Sequence, residues 1–407
     1  MKFLVKSSGK CGRLGIISNL PNRQGETFDT PFLTIYTRGG NVPHITHEVL
    51  QLITTENLMM LMPLPTIMTA LRSIESCGQS ISEFVGLKEY PSYITPQDPG
   101  IETPSGYNKG DEVAVWTKNG KRTVDPSKYM NMIEKMKPDM YLALCDGDVN
   151  SDSSKKRIVK SMTRTSKLFK DCYNYHQAST ELQNVALLAP IEGGYDLNAR
   201  RLISEEMAVY NVDGYVFDGF HTNGLTVESI PCNAVEPIIR ECLERLPKDR
   251  LRVIHGAWSP ATLLKLVALG FDVFDTSLPF VSTERGSALV FPFNENMALS
   301  TPFINSSQKS GKDTNSSGPE YELSIEEDIY KEDFQPILID CNCLTCKQHT
   351  KAYIHHLLKS QELLGKVLLM MHNLHHYLEF FKCIRTAVKN DSLETLCHLV
   401  ESHRGPL

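Results

Sequence analysis

Three cysteines lie within six residues near the C-terminal end of the sequence, at Cys341, Cys343 and Cys346. Zinc prefers thiolate and imidazole ligands in a tetrahedral set of four, so a compact cluster of this kind is typical of a structural zinc site. One alternative is three reduced cysteines in a loop. The other is a redox pair, which the third cysteine disfavours by crowding the Cys-x-x-Cys spacing. We predict one bound zinc ion.

The fourth zinc ligand has to come from outside the cysteine cluster, and histidine is the expected type. Two helix-like stretches follow the cysteines, at 348–360 and 362–388. The histidines of these stretches are His349, His355, His356, His372 and the pair His375 and His376. Spacing alone leaves the choice open, although a long second helix that folds back over the cysteines favours one of its own histidines.

A second set of polar residues follows short apolar runs in the middle of the chain. These residues are Asp146, Glu192, Asp218, His255 and Asp275. Between the runs lie amphipathic stretches at 154–178, 196–209, 227–246 and 260–269, and Ser259-Pro260 is a helix-start signal. Alternation of this kind predicts parallel βαβ units, in a doubly wound sheet or a (β/α)8 barrel. Barrels build their sites at the C-terminal ends of the strands. The alternative is that each of these residues merely ends a strand or caps a helix.

Length and composition fit a soluble globular protein. The chain has 407 residues, 41% of them hydrophobic, and a formal net charge of −6, enough for a barrel-sized domain and a smaller one. That charge does not indicate nucleic-acid binding by bulk electrostatics. The first residues contain an apolar stretch of only Phe3 to Val5, so we expect no secretory signal. Eleven cysteines without such a signal favour a reducing compartment.

The remaining segments give shorter predictions. In the first 137 residues we expect a strand at Phe32–Thr37, a helix at Thr46–Ile53, and a strand at Val113–Thr117 that turns back at Asn119-Gly120. Residues 281–293 suggest another β segment, 304–319 a flexible polar insertion, and 320–333 a solvated acidic stretch. A cationic stretch could contact phosphates or simply form a solvated helix face; it comprises Lys155, Lys156, Arg157, Lys160, Arg164, Lys167 and Lys170.

Several segments together resemble the tRNA-guanine transglycosylase family. The strings CNCLTC, AYIHHLL and ELLGKVLLMMHNLHHY are similar to the family's zinc-binding end, and the resemblance implies His372 as the fourth ligand. Further upstream, DGDVNSDSSKKRIVKSMTRTSKLF resembles the family's strand that ends in an acid and the basic helix after it, and IEGGYDLNAR resembles its QGG segment. The string DGYVFDGFHTNG resembles the family's glycine-rich base-binding loop, and GFDVFDTSLP resembles the strand that carries its nucleophilic aspartate. The resemblance covers about 138–390 well and the first third of the chain weakly.

The resemblance implies a defined chemistry. Enzymes of this family exchange guanine at the anticodon wobble position of tRNA for a 7-deazaguanine base. An aspartate attacks C1′ of the ribose, and Asp275 matches it. A second acid, in a DSGGFQ-like loop, handles protons. Glycine backbone, an acid and a glutamine bind the edge of the base.

This sequence departs from the family pattern at most of these positions. No DSG motif occurs in the first 137 residues, where the matching region reads TTENLMMLMPLP. Glu192 stands at the glutamine position, and the base-binding loop is Gly219-Phe220-His221-Thr222-Asn223-Gly224. Pro279-Phe280-Val281 replaces a PTR-type motif. We therefore expect a non-catalytic subunit in which Asp275 is vestigial.

The partners and alternatives follow from the same resemblance. We expect a heterodimer with a catalytic queuine tRNA-ribosyltransferase subunit, contact through the C-terminal helices, and tRNA bearing G34 as the common substrate. One alternative is an active transglycosylase that uses Asp275 with Asp146 or Glu192 as proton donor. The other is a zinc protein without an RNA role. The resemblance also implies a cytoplasmic location with peripheral association at the mitochondrial outer membrane.

The fold that we predict is α/β, a (β/α)8 TIM-like barrel with a C-terminal zinc-binding helical subdomain. We assign residues 1–293 to an irregular barrel that includes an N-terminal β segment. Residues 294–335 form a flexible polar and acidic insertion in this division, and residues 336–407 form the zinc-binding helical subdomain.

Overall fold

The computed structural model describes residues 1–9, 11–21, 23–220, 223–224, 231–294, 297 and 321–402. At its amino end lies an antiparallel sheet of β1 (Lys2–Ser8), β2 (Arg13–Leu20) and β3 (Arg23–Thr30). Arg13 of this sheet is buried and binds the Asp272 carboxylate and the carbonyl oxygens of Lys248 and Arg250. All three lie just before barrel strands, so the sheet covers the amino end of the barrel.

The centre of the molecule is a closed barrel of eight parallel strands, which confirms the predicted fold class. Each strand pairs with its neighbour in the chain, and the last pairs with the first. The strands are β4 (Phe32–Tyr36), β5 (Met59–Pro63), β6 (Ser92–Thr95), β9 (Met140–Leu142), β10 (Ala186–Ile191), β11 (Gly214–Phe217), β12 (Leu251–Ile254) and β13 (Val273–Asp275). Closure excludes the doubly wound sheet, which has open edges.

Helices cover the outside of the barrel, and a hairpin projects from it. The hairpin of β7 (Val113–Thr117) and β8 (Gly120–Val124) turns at the predicted Asn-Gly position. The helices are α1 (His47–Ile53), α2 (Leu64–Ile67), α3 (Leu71–Cys77), α4 (Ile81–Phe84), α5 (Pro126–Met136), α6 (Lys155–Ala178), α7 (Leu197–Met207), α8 (Cys232–Arg245), α9 (Pro260–Ala268) and α10 (Ser277–Glu284). Ser259 caps α9 through its side chain, as predicted.

The C-terminal part packs on α10 and on the barrel. It consists of β14 (Ser287–Leu289), β15 (Glu322–Ser324), α11 (Leu344–Gln348), α12 (Lys351–Lys359), α13 (Leu363–Lys389) and α14 (Leu393–Ser402). The long helix α13 runs along α10 and β14. The two helices predicted after the cysteines are confirmed as α12 and α13.

Two sequence predictions in this region are correct only in part. Residues 281–293 were expected to be β, but α10 extends to Glu284 and only Ser287–Leu289 form a strand. Because α10 is buried on every side, it displays no amphipathic period. The stretch 320–333 is not uniformly solvated, since the buried Glu322 binds Arg285 and accepts a 2.7 Å hydrogen bond from Ser282. The predicted insertion at 304–319 lies outside the described residues, and the three-part domain division stays a prediction.

Candidate barrel-mouth site and metal centre

The five predicted polar residues all lie at or just beyond the C-terminal ends of their barrel strands. Asp275 is the last residue of β13, and Glu192, Asp218 and His255 directly follow their strands. Asp146 comes four residues after β9. Asp146, Glu192 and Asp275 are buried, and the His255 ring lies 5.4 Å from the ring of Tyr93 across the barrel. A polar barrel mouth is therefore present.

Asp275 has both carboxylate oxygens bound within the chain. One oxygen accepts from the backbone N–H of Gly256 at 2.8 Å, and the other from the N–H of Ser277 at 2.7 Å and from the Ser277 hydroxyl. The side chain is 1% exposed, and burial raises its pKa to about 6. The Pro279-Phe280-Val281 segment lies in α10, with Phe280 and Val281 in the apolar core.

Asp146 is held by two arginines of α6. Arg157 binds both carboxylate oxygens, at 2.5 and 3.1 Å, and Arg164 binds the second of them. Asn108 donates to the first oxygen at 2.7 Å. Burial raises the pKa of Asp146, but the hydrogen bond and charge of Arg157 outweigh it and leave the pKa below the usual value. Asp146 is thus an ionised carboxylate whose two oxygens are already engaged.

Glu192, which is buried, and Asp218, which is partly exposed, form an acidic pair at the ends of β10 and β11. A Cβ on Gly147 would lie 2.5 Å from an Asp218 oxygen and 3.3 Å from a Glu192 oxygen, so glycine is needed for this close approach. Gly219, at φ +76°, closes the other side of Glu192. Burial raises the pKa of both carboxyls, that of Glu192 far above its usual value. Among the described residues, neither Glu192 oxygen accepts a hydrogen bond from an N–H or O–H group; the Cys145 thiol lies beside them.

Arg200 of α7 holds the ends of these two strands together. Its guanidinium is fully buried and donates to the carbonyl oxygens of Ile191, Gly194 and Asp218. It also lies 3.9 Å from the ring centre of Phe220, the first bulky residue of the predicted base-binding loop. Phe220 therefore packs inward on an arginine of its own chain. His221 and Thr222 of that loop lie outside the described residues.

Sequence reasoning missed Asp98, which follows β6. This carboxylate is 2% exposed and accepts hydrogen bonds from the Tyr36 hydroxyl at 2.7 Å and the Gly100 N–H at 2.9 Å. Burial raises its pKa, and its charge adds to the rise at Asp275. The available signal was the short run Ser92–Thr95, whose end places Asp98 at the same rim as the five predicted residues. The stretch TTENLMMLMPLP instead contains the second barrel strand, β5.

A cavity of about 360 Å³ opens beside Asp218 at the barrel mouth. Its walls include Asn108, Trp116, Gly147, Asp148, Arg157 and Asp218. That volume is large enough for a small ligand. Arg157 contributes to this wall, but it is bound to Asp146 and lies 3.4 Å from Asp148. The positive charge of Arg157 in the cavity wall is therefore already neutralised.

The seven cations of α6 divide into two groups. Arg157 and Arg164 turn inward onto Asp146, and the Arg164 side chain is 6% exposed. The lysines lie on the exposed side of the helix; they are Lys155, Lys156, Lys160, Lys167 and Lys170. Lys167 pairs with Asp111 at 2.6 Å. The predicted cationic face is therefore a lysine face, to which the two arginines do not belong.

At the C-terminal end, the three cysteines and His372 converge on one point. Among the described residues, the ligand atoms of Cys341, Cys343, Cys346 and His372 form the one such group, all within 4.8 Å of one another. His372 Nδ1 lies 3.8, 3.6 and 3.3 Å from the sulfurs of Cys341, Cys343 and Cys346. A tetrahedral zinc ion with ordinary bond lengths would separate sulfur from nitrogen by about 3.6 Å. The donor set can hold a metal ion.

Local structure explains this convergence. Cys343 is the N-cap of α11 and accepts a 3.3 Å contact from the N–H of Cys346, so one helical turn brings the two sulfurs together. His372 lies in the middle of α13, which passes over the cysteines. The three thiols share hydrogen bonds: those from Cys341 and Cys346 lower the pKa of the Cys343 thiol, and the one with Cys343 raises the pKa of the Cys341 thiol.

The structure therefore defines an α/β-barrel protein whose C-terminal part carries a metal centre of three cysteines and one histidine. A sequence model of the queuine tRNA-ribosyltransferase family matches residues 7–405 of this chain. The chain belongs to the queuine tRNA-ribosyltransferase family. This match covers almost the whole molecule, including both the barrel and the metal centre.

Individual relatives resemble the chain over nearly its full length. A protein of Ixodes scapularis is 39% identical over 389 residues, covering 95% of this chain and 96% of the relative. A protein of Drosophila virilis is 37% identical over 401 residues, covering 97% and 91%, and one of Aedes aegypti is 36% identical over 412 residues, covering 100% and 94%. Each of the three is named queuine tRNA-ribosyltransferase accessory subunit 2.

Proposed function

We propose that this chain is a non-catalytic accessory subunit of a tRNA-guanine transglycosylase. Paired with a catalytic subunit, it would support the exchange of guanine-34 for queuine in tRNAs with GUN anticodons. The observation that carries this proposal is Asp146, an acid that follows a barrel strand and has both oxygens bound within its own chain. Its two oxygens are bound by Arg157, Arg164 and Asn108. The names of the full-length relatives support the same role.

The rest of the barrel mouth supports the proposal. Where the family has an amide that both donates and accepts, Glu192 offers a carboxyl enclosed between Gly147 and Gly219. Asp275 is buried, and both of its oxygens accept hydrogen bonds from the protein. A nucleophile has to approach C1′ to about 3–3.5 Å in an aligned geometry. Both oxygens of the Asp275 carboxylate are already engaged by donors of its own chain.

We propose zinc as the metal of the Cys341, Cys343, Cys346 and His372 centre, with one ion per chain. Three sulfurs and one imidazole nitrogen form a soft, tetrahedral donor set, which favours zinc over harder divalent ions. The sulfur to nitrogen distances of 3.3–3.8 Å fit such an ion. The four protein ligands would fill all four coordination positions of the metal. The metal would therefore support structure and leave no open position for a substrate.

The C-terminal part also offers a surface for the catalytic partner. Six large apolar side chains between residues 329 and 364 are exposed, with Phe334 at 72% and Leu363 at 86%. The six are Ile329, Phe334, Ile339, Tyr353, Leu363 and Leu364, which we call the apolar C-terminal surface. A contiguous exposed apolar patch is typical of protein interfaces, and we propose that these six side chains form one. This surface supports the proposed heterodimer.

The lysine face of α6 supports contact with tRNA. Its cations are exposed and, apart from Lys167, form none of the described ion pairs. Replacing Lys156 and Lys160 by alanine should weaken tRNA binding by the heterodimer and reduce the slope of log affinity against log salt by about 1.5–2. The matched control is Lys2 and Lys6 in β1, at the opposite end of the barrel. An equal loss in both double variants would contradict this role.

The central experiment uses the purified chain, the catalytic subunit and their mixture. Guanine exchange on tRNA should be near background for this chain alone, and mass measurement of the mixture should show one copy of each chain. Phe334→Asp and Leu363→Asp should weaken the heterodimer at least tenfold. Val209→Asp, at a 79% exposed apolar residue of the barrel region, should not. Robust exchange by the chain alone, or a failure to associate, would refute the proposal.

We also propose a cytoplasmic location with peripheral association at the mitochondrial outer membrane. Its support is the family resemblance. No helix in the described part of the chain is long and apolar enough to cross a membrane. Fractionation of cells that carry a tagged chain tests the proposal, with and without the catalytic partner. Absence of the tag from washed mitochondria in both cases would refute the membrane association.

A further inference from the structure

The second ring nitrogen of His372 identifies a partner of the metal centre outside the four ligands. His372 Nδ1 faces the three sulfurs, while Nε2 lies 2.9 Å from the carbonyl oxygen of Leu289 in β14. A carbonyl can only accept, so Nε2 carries the proton and Nδ1 is free to bind metal. The Leu289 carbonyl thus fixes both the orientation and the tautomer of the imidazole.

The neighbouring residue of α13 holds Leu289 in place. Asn373 Oδ1 accepts from the Leu289 N–H at 2.7 Å. Its Nδ2 donates to the carbonyl oxygen of Ser287 at 2.9 Å and to the Thr283 hydroxyl at 3.0 Å. Consecutive residues of α13 therefore bind both backbone groups of Leu289, with Asn373 on the N–H and His372 on the carbonyl oxygen.

These hydrogen bonds lie in a dry environment. His372, Asn373 and Leu289 are all 0% exposed. Bulk water does not reach these groups, so removal of the Asn373 amide would take away the protein partners of buried backbone groups of β14. The strand would then shift to satisfy them, and the Leu289 carbonyl would move away from the imidazole that it orients.

We propose that Asn373 is a positioning residue of the metal centre: it fixes Leu289 so that the Leu289 carbonyl orients His372 for the metal. Partners of this kind usually change metal affinity 10–100-fold when they are removed. By linkage, a metal that binds more tightly when β14 is ordered also stabilises the order of β14. The inference rests on the proposal that the Cys3His centre holds zinc.

The test compares metal binding by the full-length chain and two variants. Zinc affinity is measured by competition with a chromophoric chelator, and the ligand field by the absorption spectrum of the cobalt(II)-substituted protein. Asn373→Ala should weaken zinc binding 10–100-fold and change the cobalt d–d bands. The matched control is Thr283→Val, which removes a hydroxyl that contacts Asn373 but not Leu289. It should change zinc affinity less than threefold and leave the cobalt spectrum unchanged.

A second measurement needs no variant and covers the case in which Asn373→Ala does not fold. Hydrogen exchange of the wild-type chain is compared before and after chelation of the metal. The peptide that contains Ser287–Leu289 should lose protection, whereas the Val113–Val124 hairpin should not. If wild-type protein binds no metal, the zinc proposal fails and takes the inference with it. If wild-type binds metal but Asn373→Ala binds equally tightly, or β14 exchange is unchanged on chelation, the inference alone fails.

Discussion

The metal centre and the barrel mouth treat their polar side chains in opposite ways. At the metal centre, the ligand atoms of Cys341, Cys343, Cys346 and His372 point toward one another around a common point. At the barrel mouth, Asp146 and Asp275 point toward arginines, hydroxyls and backbone N–H groups of their own chain. The metal ligands are arranged for an external atom, whereas Asp146 and Asp275 are satisfied internally.

This difference distinguishes carboxylates that support the fold from carboxylates that could act on a substrate. At Asp146 and Asp275 the barrel rim uses carboxylates as hydrogen-bond acceptors, and donors of the same chain serve that purpose. A catalytic carboxylate needs at least one oxygen directed at the substrate. The four metal ligands, in contrast, can be satisfied together only by a cation, since three sulfurs and one nitrogen supply few protons to one another.

The largest effect is expected from removal of a metal ligand. Cys343→Ser should reduce bound zinc from one equivalent per chain to near zero, because serine does not replace a thiolate on zinc. It should also lower stability by several kcal/mol, since metal binding contributes directly to folding. Metal analysis and thermal denaturation measure both. The matched control is Cys383→Ser, at a half-buried cysteine of α13 outside the cluster, which should retain zinc. Retention of zinc by Cys343→Ser would contradict the assignment.

The next largest effect is expected at the barrel mouth. Asp146→Ala would leave the buried Arg164 and the half-buried Arg157 without their shared carboxylate. Removing one member of a buried ion pair costs about 3–5 kcal/mol. The control Asp148→Ala removes a more exposed acid 3.4 Å from Arg157 and should cost about 0–1 kcal/mol in denaturant unfolding. Equal losses would show that Asp146 is not held as described.

A smaller, pH-dependent effect is expected where α13 joins the barrel. Glu284 accepts a 2.6 Å hydrogen bond from His44 and lies 3.3 Å from Lys366. The His44 bond is the main cause of a pKa of about 2, against the usual 4.5. A lowered carboxyl pKa stabilises the fold above the unfolded-state value and loses that contribution as the pH falls toward 2.

The test is Glu284→Gln, compared with wild type at pH 6 and at pH 3. At pH 6 the variant should be less stable by about 1–2 kcal/mol after allowance for solvent screening. The difference should shrink at pH 3, because the wild-type carboxylate then loses part of its advantage. Both proteins carry the same metal centre, so its own acid sensitivity cancels in the comparison. A difference that is constant with pH would contradict the role of this carboxylate.

Sequence reasoning succeeded where the signal is local. The cysteine cluster is contained in six residues, and β10 to β13 each follow or precede an amphipathic helix. The strands β5 and β6 were missed because runs of four or five fully buried residues have no period that distinguishes them from other apolar segments. Asp98 was missed with them, since its position at the rim follows only from that of β6.

Charge pairing was harder to predict than secondary structure. Arg157 and Arg164 are seven residues apart, on the same helix face as the buried Ile158 and Thr165. That spacing could have indicated that the two arginines turn inward. It could not have indicated Asp146 as their partner, because Asp146 is brought to α6 only when the barrel closes. Glu322 likewise reads as a surface acid until β14 and β15 pair and bring it to Arg285.

The most direct test of the central claim is Asp275→Asn in this chain, assayed as a complex with the catalytic subunit. Asparagine would place an N–H against one of the N–H donors at Gly256 or Ser277, so a stability loss of about 1–3 kcal/mol is expected and is followed by thermal denaturation. Guanine exchange is measured well below the melting temperature. We predict nearly unchanged exchange, whereas the equivalent substitution in the catalytic partner abolishes it. Loss of exchange on Asp275→Asn while the heterodimer still forms would show that this chain carries chemistry, and would contradict the account.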